Sequence, residues 1–135
     1  MKPEISIVIP AYNEEESLHP LFGSLYPVMT DMGRPFEIIF INDGSKDSTL
    51  GILYDLYVSH PEVRVIDLNG NFGQHMAIMA GFEHVRGDIV ITLDADLQNP
   101  PEEIPNIVAK MDEGHDLVGT YRKGRQDRSE ERRVG

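Results

Sequence analysis

Apolar positions along the chain switch repeatedly between two spacings, and the switches mark out alternating strands and helices. Ile5 to Pro10 (ISIVIP) is a short, β-branched, nearly continuous apolar run, the pattern of a strand buried on both faces of a parallel sheet. Leu18, Leu21, Phe22, Leu25, Val28 and Met32 then recur at helical spacing, behind a stretch from Glu14 to Ser17 that offers an acidic helix start. Pro20 is tolerated in the first turn of that helix, and Pro27 is expected to kink or end it. The alternation continues. Phe36 to Ile41 (FEIIFI) predicts a second strand, and Asp47 or Ser48 caps a helix to about Ser59. Val63 to Leu68 predicts a third strand, with a helix from about Gly73 to Val85 behind it. Asp88 to Leu93 (DIVITL) is the fourth, followed by a helix that Pro101 opens, with Glu102 and Glu103 in its first turn and Ile104, Ile107, Val108 and Met111 on one face. Leu117 to Tyr121 is the fifth.

Strands alternating with amphipathic helices predict an α/β fold, a mostly parallel doubly wound sheet with helices on both faces and right-handed crossovers. At 135 residues and 40% apolar, the chain suffices for one domain with a real core. The organisation expected is a core over residues 1–121 and a basic tail over 122–135. No stretch approaches the roughly 18 to 20 apolar residues of a membrane span, and the Lys2-Pro3-Glu4 start is not a signal peptide. A soluble, cytoplasmic piece is the default expectation. There is no cysteine, which removes disulfides, thiolate metal sites and thiol nucleophiles.

Charge is distributed unevenly. Residues 122 to 135 carry six Lys+Arg against three Asp+Glu, a net +3, so a chain of formal charge -11 has a body of -14. Such a body repels nucleic-acid phosphates, which excludes nucleic acid as a natural partner of the whole domain. It suits a cation.

In open α/β sheets ligands bind beyond the carboxyl ends of the strands. Those ends read Pro10-Ala11-Tyr12-Asn13-Glu14, Asn42-Asp43-Gly44-Ser45, Asn69-Gly70-Asn71-Phe72-Gly73-Gln74 and Asp94-Ala95-Asp96-Leu97-Gln98. If the backbone stays extended past the fourth strand, Asp94, Asp96 and Gln98 point one way and form an oxygen-lined face. Two carboxylates that close repel unless one is protonated or a cation lies between them. Oxygen donors without Cys or suitably spaced His favour Mg2+ or Mn2+. An EF-hand starting at Asp94 fails, because Asn99 and Pro105 occupy its Gly and Glu positions. A haloacid-dehalogenase-type phosphatase would place its aspartate pair after the first strand, where a response-regulator receiver also needs acids and this chain has Pro10-Ala11-Tyr12. Gly70 and Gly73 have the wrong spacing for a dinucleotide fingerprint. His75 reads as a surface or packing residue, Met76 and Met79 as core, and Ser129 to Arg132 as a capped, solvated helix start.

With the strand ends assembled, the chain resembles the family 2 glycosyltransferases of the GT-A fold, in the branch that transfers a sugar from a nucleotide donor to a polyprenyl phosphate. IPAYNEEESL, INDGSKDST, NFGQ, GDIVITLDADLQNPPEEIP and VGTYR occur in the family's order and cover nearly the whole chain. Asn71 to Arg122 looks like the bacterial undecaprenyl-phosphate 4-deoxy-4-formamido-L-arabinose transferases and is similar, at greater distance, to dolichol-phosphate-mannose synthases. The resemblance implies that Pro10, Ala11, Tyr12 and Glu14 line a nucleoside pocket, with Asp43 recognising the base and Ile41 contributing backbone. It implies Asp94 and Ala95 against the ribose and diphosphate, and Asp96 and Gln98 holding Mg2+ or Mn2+. Arg122, with Arg125 as a second candidate, would face donor phosphate or the acceptor. The implied partners are a nucleotide-sugar donor, a UDP-sugar in the first instance, a polyprenyl-phosphate acceptor and, as a homo-oligomer, a second copy of the chain. The implied reaction is inverting transfer at the cytoplasmic face of a membrane. Two departures stand out: Gly70 where many relatives carry a basic residue, and a chain ending at Gly135 where the family continues through acceptor-binding segments and, in this branch, two membrane helices. The alternative to an active enzyme is a nucleotide- and metal-binding module.

Overall fold

A computed structural model describes residues 2–96 and 100–113 and the backbone of 119 and 120. Five parallel strands form one sheet: β1 (Ile5–Ala11), β2 (Phe36–Asn42), β3 (Val63–Asp67), β4 (Ile89–Thr92) and β5 (Gly119–Thr120), in the spatial order β3-β2-β1-β4-β5. The helices are α1 (Leu18–Asp31), α2 (Thr49–Ser59), α3 (Gln74–Phe82) and α4 (Ile104–Asp112).

The continuous apolar runs follow from burial on both faces. Ile5, Ile7 and Ile9 of β1 point into a core shared with Leu21, Leu25 and Met29 of α1, Leu53 of α2 and Ile104 and Val108 of α4. Val8 points the other way, into a smaller cluster with Ile39, Ile41, Val90 and Ala77 of α3. At Gly81, α3 comes so close to the sheet that a Cβ would stand 2.7 Å from Val8 and 2.8 Å from Ile41, so only glycine allows that approach.

Several elements differ from the expectation for local reasons. Glu14 to Glu16 form a turn ahead of α1 rather than its acidic first turn, with the Glu14 carbonyl accepting the Ser17 and Leu18 amides. Pro20 lies in the first turn of α1, but Pro27 does not end the helix, which continues to Asp31. Both Pro27 and Gly23, whose carbonyl loses its i+4 donor, are exposed, so the freed acceptor is open to solvent and the helix loses little. Before α4 the chain makes a 3-10 turn, Pro101–Glu103. Pro105 has no amide to give the Pro101 carbonyl, which accepts the Ile104 N–H instead. The third helix stops at Phe82, a turn short of Val85. Met76 is exposed rather than core, at 55%. The fifth strand pairs Gly119 with Ile91 and Thr120 with Thr92; the rest of the Leu117 to Tyr121 expectation, the basic tail and the helix start at Ser129 lie outside the described residues.

The strand order fixes where a ligand belongs. The chain leaves β1 towards β2 and β3 on one side, then returns to lay β4 on the other. The connections thus diverge between β1 and β4, the switch point at which α/β sheets open a crevice.

Candidate functional site

A cleft of about 490 Å³ opens at that switch point. It is lined by Pro10 and Ala11 at the end of β1, Tyr12 and Glu14 just beyond it, and Asp94, Ala95 and Asp96 after β4. Asp43 reaches it from just after β2, Asn71 and Gly73 from the segment between β3 and α3, and Gln74 from the first position of α3. Ala11 and Ala95 are buried, small side chains that leave room between the two loops. Tyr12 is 41% exposed at the rim, an amphipathic ring available to a planar ligand.

Hydrogen bonds lock the loops together. Asn13, at φ 53°, accepts the Lys46 amide through its side-chain oxygen at 2.8 Å and donates its own amide to the Ser45 hydroxyl at 2.9 Å. Asn tolerates that left-handed backbone better than most residues. The Glu14 amide donates to the Thr49 hydroxyl at 2.8 Å; Ser48 holds the N-cap position of α2 without a side-chain cap bond, and Asp47 beside it accepts the Thr49 amide at 2.9 Å. Gly44 sits at φ +73°, where an added Cβ would lie 2.5 Å from the Gly70 carbonyl carbon. The β2 and β3 loops therefore touch backbone to backbone.

Asp43 is almost fully buried, at 3% exposure. One of its oxygens accepts the Phe72 amide at 2.7 Å and the other the Gly73 amide at 2.9 Å. Across the cleft the Gln74 side-chain amide donates to Asp94 Oδ1 at 3.0 Å. Burial pushes the Glu14 carboxyl above its ordinary value, the Ser17 hydroxyl partly opposes this, and the charges of Asp96, Asp47 and Asp94 add to the upward shift. The negative field of the cleft thus registers on Glu14.

Eight of the residues put forward from the sequence, Pro10, Ala11, Tyr12, Glu14, Asp43, Asp94, Ala95 and Asp96, line this one cleft. Ile41, expected to contribute only backbone, has its side chain fully buried in the smaller core on the α3 face. Gln98 and Arg122, with Arg125, lie outside the described residues. Extended backbone does not continue through Asp96, because after Leu93 and Asp94 the chain turns at Ala95 and Asp96, which ends the period-two alternation. Sequence reading passed over Asn71 and Gln74 individually, although their segment stood among the four strand ends; no periodicity marks a polar loop residue.

The donor set is all oxygen, and like charges that push up Glu14 are relieved by a hard divalent cation. Among the described residues no three His, Asp or Glu side chains gather into a metal-binding group. A cation in this cleft would need ligands beyond these side chains, which Mg2+ typically takes from phosphate oxygens and water.

Comparison with known proteins agrees with this architecture. The undecaprenyl-phosphate 4-deoxy-4-formamido-L-arabinose transferase of Shewanella sediminis (strain HAW-EB3) is 56% identical over 125 residues, covering 91% of this chain and 38% of its own length. The chain thus spans well under half of that relative. The 1–349 fragment of S. aureus TarS, solved with UDP-GlcNAc, superposes with a TM-score of 0.67 at 24% identity, over 92% of this chain and 36% of that one. The mannosyltransferase PcManGT of Pyrobaculum calidifontis, solved with GDP-Man and Mn2+, gives 0.62 at 22% identity, over 82% of this chain and 32% of that one. At such identities these neighbours show the fold, which is GT-A. The sequence model of the family described as "Glycosyl transferase family 2" matches residues 6–135, from the first core strand to the last residue, and the chain belongs to that family.

Proposed function

We propose that this chain is the donor-binding core of a glycosyltransferase that moves a sugar from a nucleotide diphosphate, UDP in the first instance, to a polyprenyl phosphate. The observation that carries the reading is the convergence of Tyr12, Glu14, Asp43, Asp94 and Asp96 from three strand ends on one cleft at the switch point. The name of the Shewanella relative supports the acceptor class.

In this reading Tyr12 and Asp43 flank the nucleoside, Asp94 and Ala95 face the ribose and diphosphate, and Asp96 with Gln98 holds a divalent cation. When bound, that ion supplies Lewis-acid stabilisation of the charge that grows on the departing diphosphate. Arg122 adds positive charge on the phosphate or acceptor side. An acceptor phosphate is already ionised at pH 7, so no general base is required to create the nucleophile. The protein's part is to orient the donor, with cations drawing the acceptor into line.

Isothermal calorimetry with UDP tests the reading. Binding is expected to require Mn2+ or Mg2+ and to weaken at least about tenfold in Asp96→Asn, which removes one anionic ligand. Equal UDP affinity in excess chelator overturns the metal assignment. A phosphoaspartate trapped at Asp94 without any nucleotide requirement would identify a phosphatase instead. Donor turnover by the chain, assayed separately, distinguishes an active enzyme from a binding module.

A further inference from the structure

We propose that Gln74 is a positioning residue for Asp94 and that Asp43, through the backbone of Phe72 and Gly73, holds Gln74 in place. The proposal deepens the nucleotide-binding reading and rests on it for its effect on donor affinity.

The geometry runs unbroken across the cleft. Asp43 spends both carboxylate oxygens on consecutive backbone amides, those of Phe72 and Gly73. Gly73 is the N-cap of α3 at φ +98°, and no side chain caps this helix. The start of α3 is therefore anchored from the end of β2 instead of by its own N-cap residue. A carboxylate accepting two amide donors makes charge-assisted bonds, which are stronger than neutral ones. From the other side α3 is seated by Ala77, Ile78 and Gly81, which are buried, and the missing Cβ of Gly81 lets the helix pack directly on Val8 and Ile41. Gln74, the first helical residue, is thus held between two fixed supports, and its side-chain amide donates to Asp94 Oδ1 at 3.0 Å.

Asp94 needs such a partner. It follows the last residue of β4 by two positions and precedes a turn, in a cleft where Glu14 and Asp96 are also acidic. Like charges in one cleft drive carboxylates into divergent rotamers, whereas a diphosphate and cation need them convergent. A neutral amide donor suits the task, because it orients Asp94 without cancelling its charge. A lysine at the same place would form an ion pair and compete with the cation.

Two variants of the whole chain separate positioning from folding. Gln74→Glu keeps the shape but has no donor at pH 7, and Gln74→Met keeps the length without polarity. Each is expected to bind UDP in Mn2+ about tenfold more weakly, the effect of losing one hydrogen bond to a charged group. The ligand-free thermal midpoint of Gln74→Met is expected to stay within about 2 °C, since the residue is exposed. Wild-type affinity in both variants, with wild type binding UDP, overturns the proposal. A second measurement needs no nucleotide. The side-chain amide resonances of Gln74 in a 1H–15N spectrum are expected to shift in Asp94→Ala and to lose their distinct environment in Asp43→Asn. If wild type fails to bind UDP, the nucleotide reading falls by itself and this spectrum decides the positioning: Gln74 resonances indifferent to both substitutions refute it.

Discussion

Glu37 offers the sharpest test of how the sheet is held together, because it is a carboxylate at 1% exposure on a central strand, far from the cleft. Its Oε2 accepts the Ser6 hydroxyl at 2.6 Å and the Arg86 amide at 2.8 Å, and its Oε1 accepts Arg64 Nη1 at 2.7 Å and Arg86 Nε at 3.3 Å. Every one of these groups donates. In Glu37→Gln the side-chain NH2 must replace one oxygen, so it faces either the two guanidinium groups or the Ser6 hydroxyl and the Arg86 amide. The arginines are 32% and 57% exposed and turn to water in the first case; in the second a backbone amide is left without its acceptor. Losing charged hydrogen bonds or orphaning a buried donor costs about 1 to 3 kcal/mol each, so roughly 3 kcal/mol in all is expected. That is a large share of a stability on the order of 5 to 15 kcal/mol and corresponds to a fall in Tm of about 10 °C. The pH dependence follows from the direction of the Glu37 shift. Burial pushes its carboxyl up, but the bonds from Ser6, Arg86 and Arg64 and the charge of Arg64 outweigh burial and hold it below its ordinary value. A carboxylate with a depressed folded value stabilises fully above its unfolded value, about 4.3, and loses that contribution as pH falls through the folded one. Urea titrations at pH 7 and in acid measure the difference between wild type and variant. A gap below about 0.5 kcal/mol at pH 7, or one that widens in acid, refutes the reasoning.

Three further outcomes follow from the same contacts. Glu37→Gln is expected to leave UDP affinity unchanged at temperatures where it is folded, because Glu37 is not part of the cleft; calorimetry at 15 °C checks this. Gly44→Ala forces both a left-handed backbone and contacts of 2.5 to 2.8 Å with Gly70 and Asn71, so a loss of about 3 kcal/mol or more in urea unfolding is expected. The raised Glu14 carboxyl has the opposite sign to Glu37: stability falls as pH rises from the ordinary carboxylate value through the raised one. Glu14→Gln is therefore expected to raise the ligand-free Tm at pH 7 and to have no effect well below pH 4, and a variant less stable than wild type at pH 7 contradicts the assignment.

What could be read from the chain and what could not divide along one physical line. The strands were legible because burial on both faces leaves continuous β-branched runs such as ISIVIP and FEIIFI, and the cleft because a doubly wound order sends its strand ends to one crevice. Local backbone chemistry was less legible. Pro27 reads as a helix terminator, yet its missing hydrogen bond falls on an exposed side open to solvent. Illegible altogether were partnerships between polar residues distant in sequence: Asp43 with the amides of Phe72 and Gly73, Gln74 with Asp94, Glu37 with Arg64 and Arg86. Each needs the strand order before the partners can be known to meet. In FEIIFI, Glu37 looks like an ordinary polar interruption.

The two ends of the sheet treat negative charge in opposite ways, and the contrast explains the acidic excess. At the amino end of β2, Glu37 is buried and its charge is matched within the fold by Arg64 and Arg86, while the Ser6 hydroxyl, the Arg86 amide and Arg64 together hold its carboxyl down against burial. At the carboxyl end of β1, Glu14 faces Asp96, Asp47 and Asp94, whose charges add to burial and drive its carboxyl up. One sheet thus completes its electrostatics at one edge and leaves a negative field at the other. The folded state tolerates that field because Asp43, the most buried acid of the cleft, is stabilised by two backbone amides, and because Gln74 steadies Asp94 without neutralising it. The repulsion that remains lowers the stability of the free protein, and under the proposed function a bound cation with a diphosphate would relieve it. Stabilisation by Mn2+ and UDP together is accordingly expected to exceed the sum of their separate effects, since each ligand alone leaves one sign of charge uncompensated.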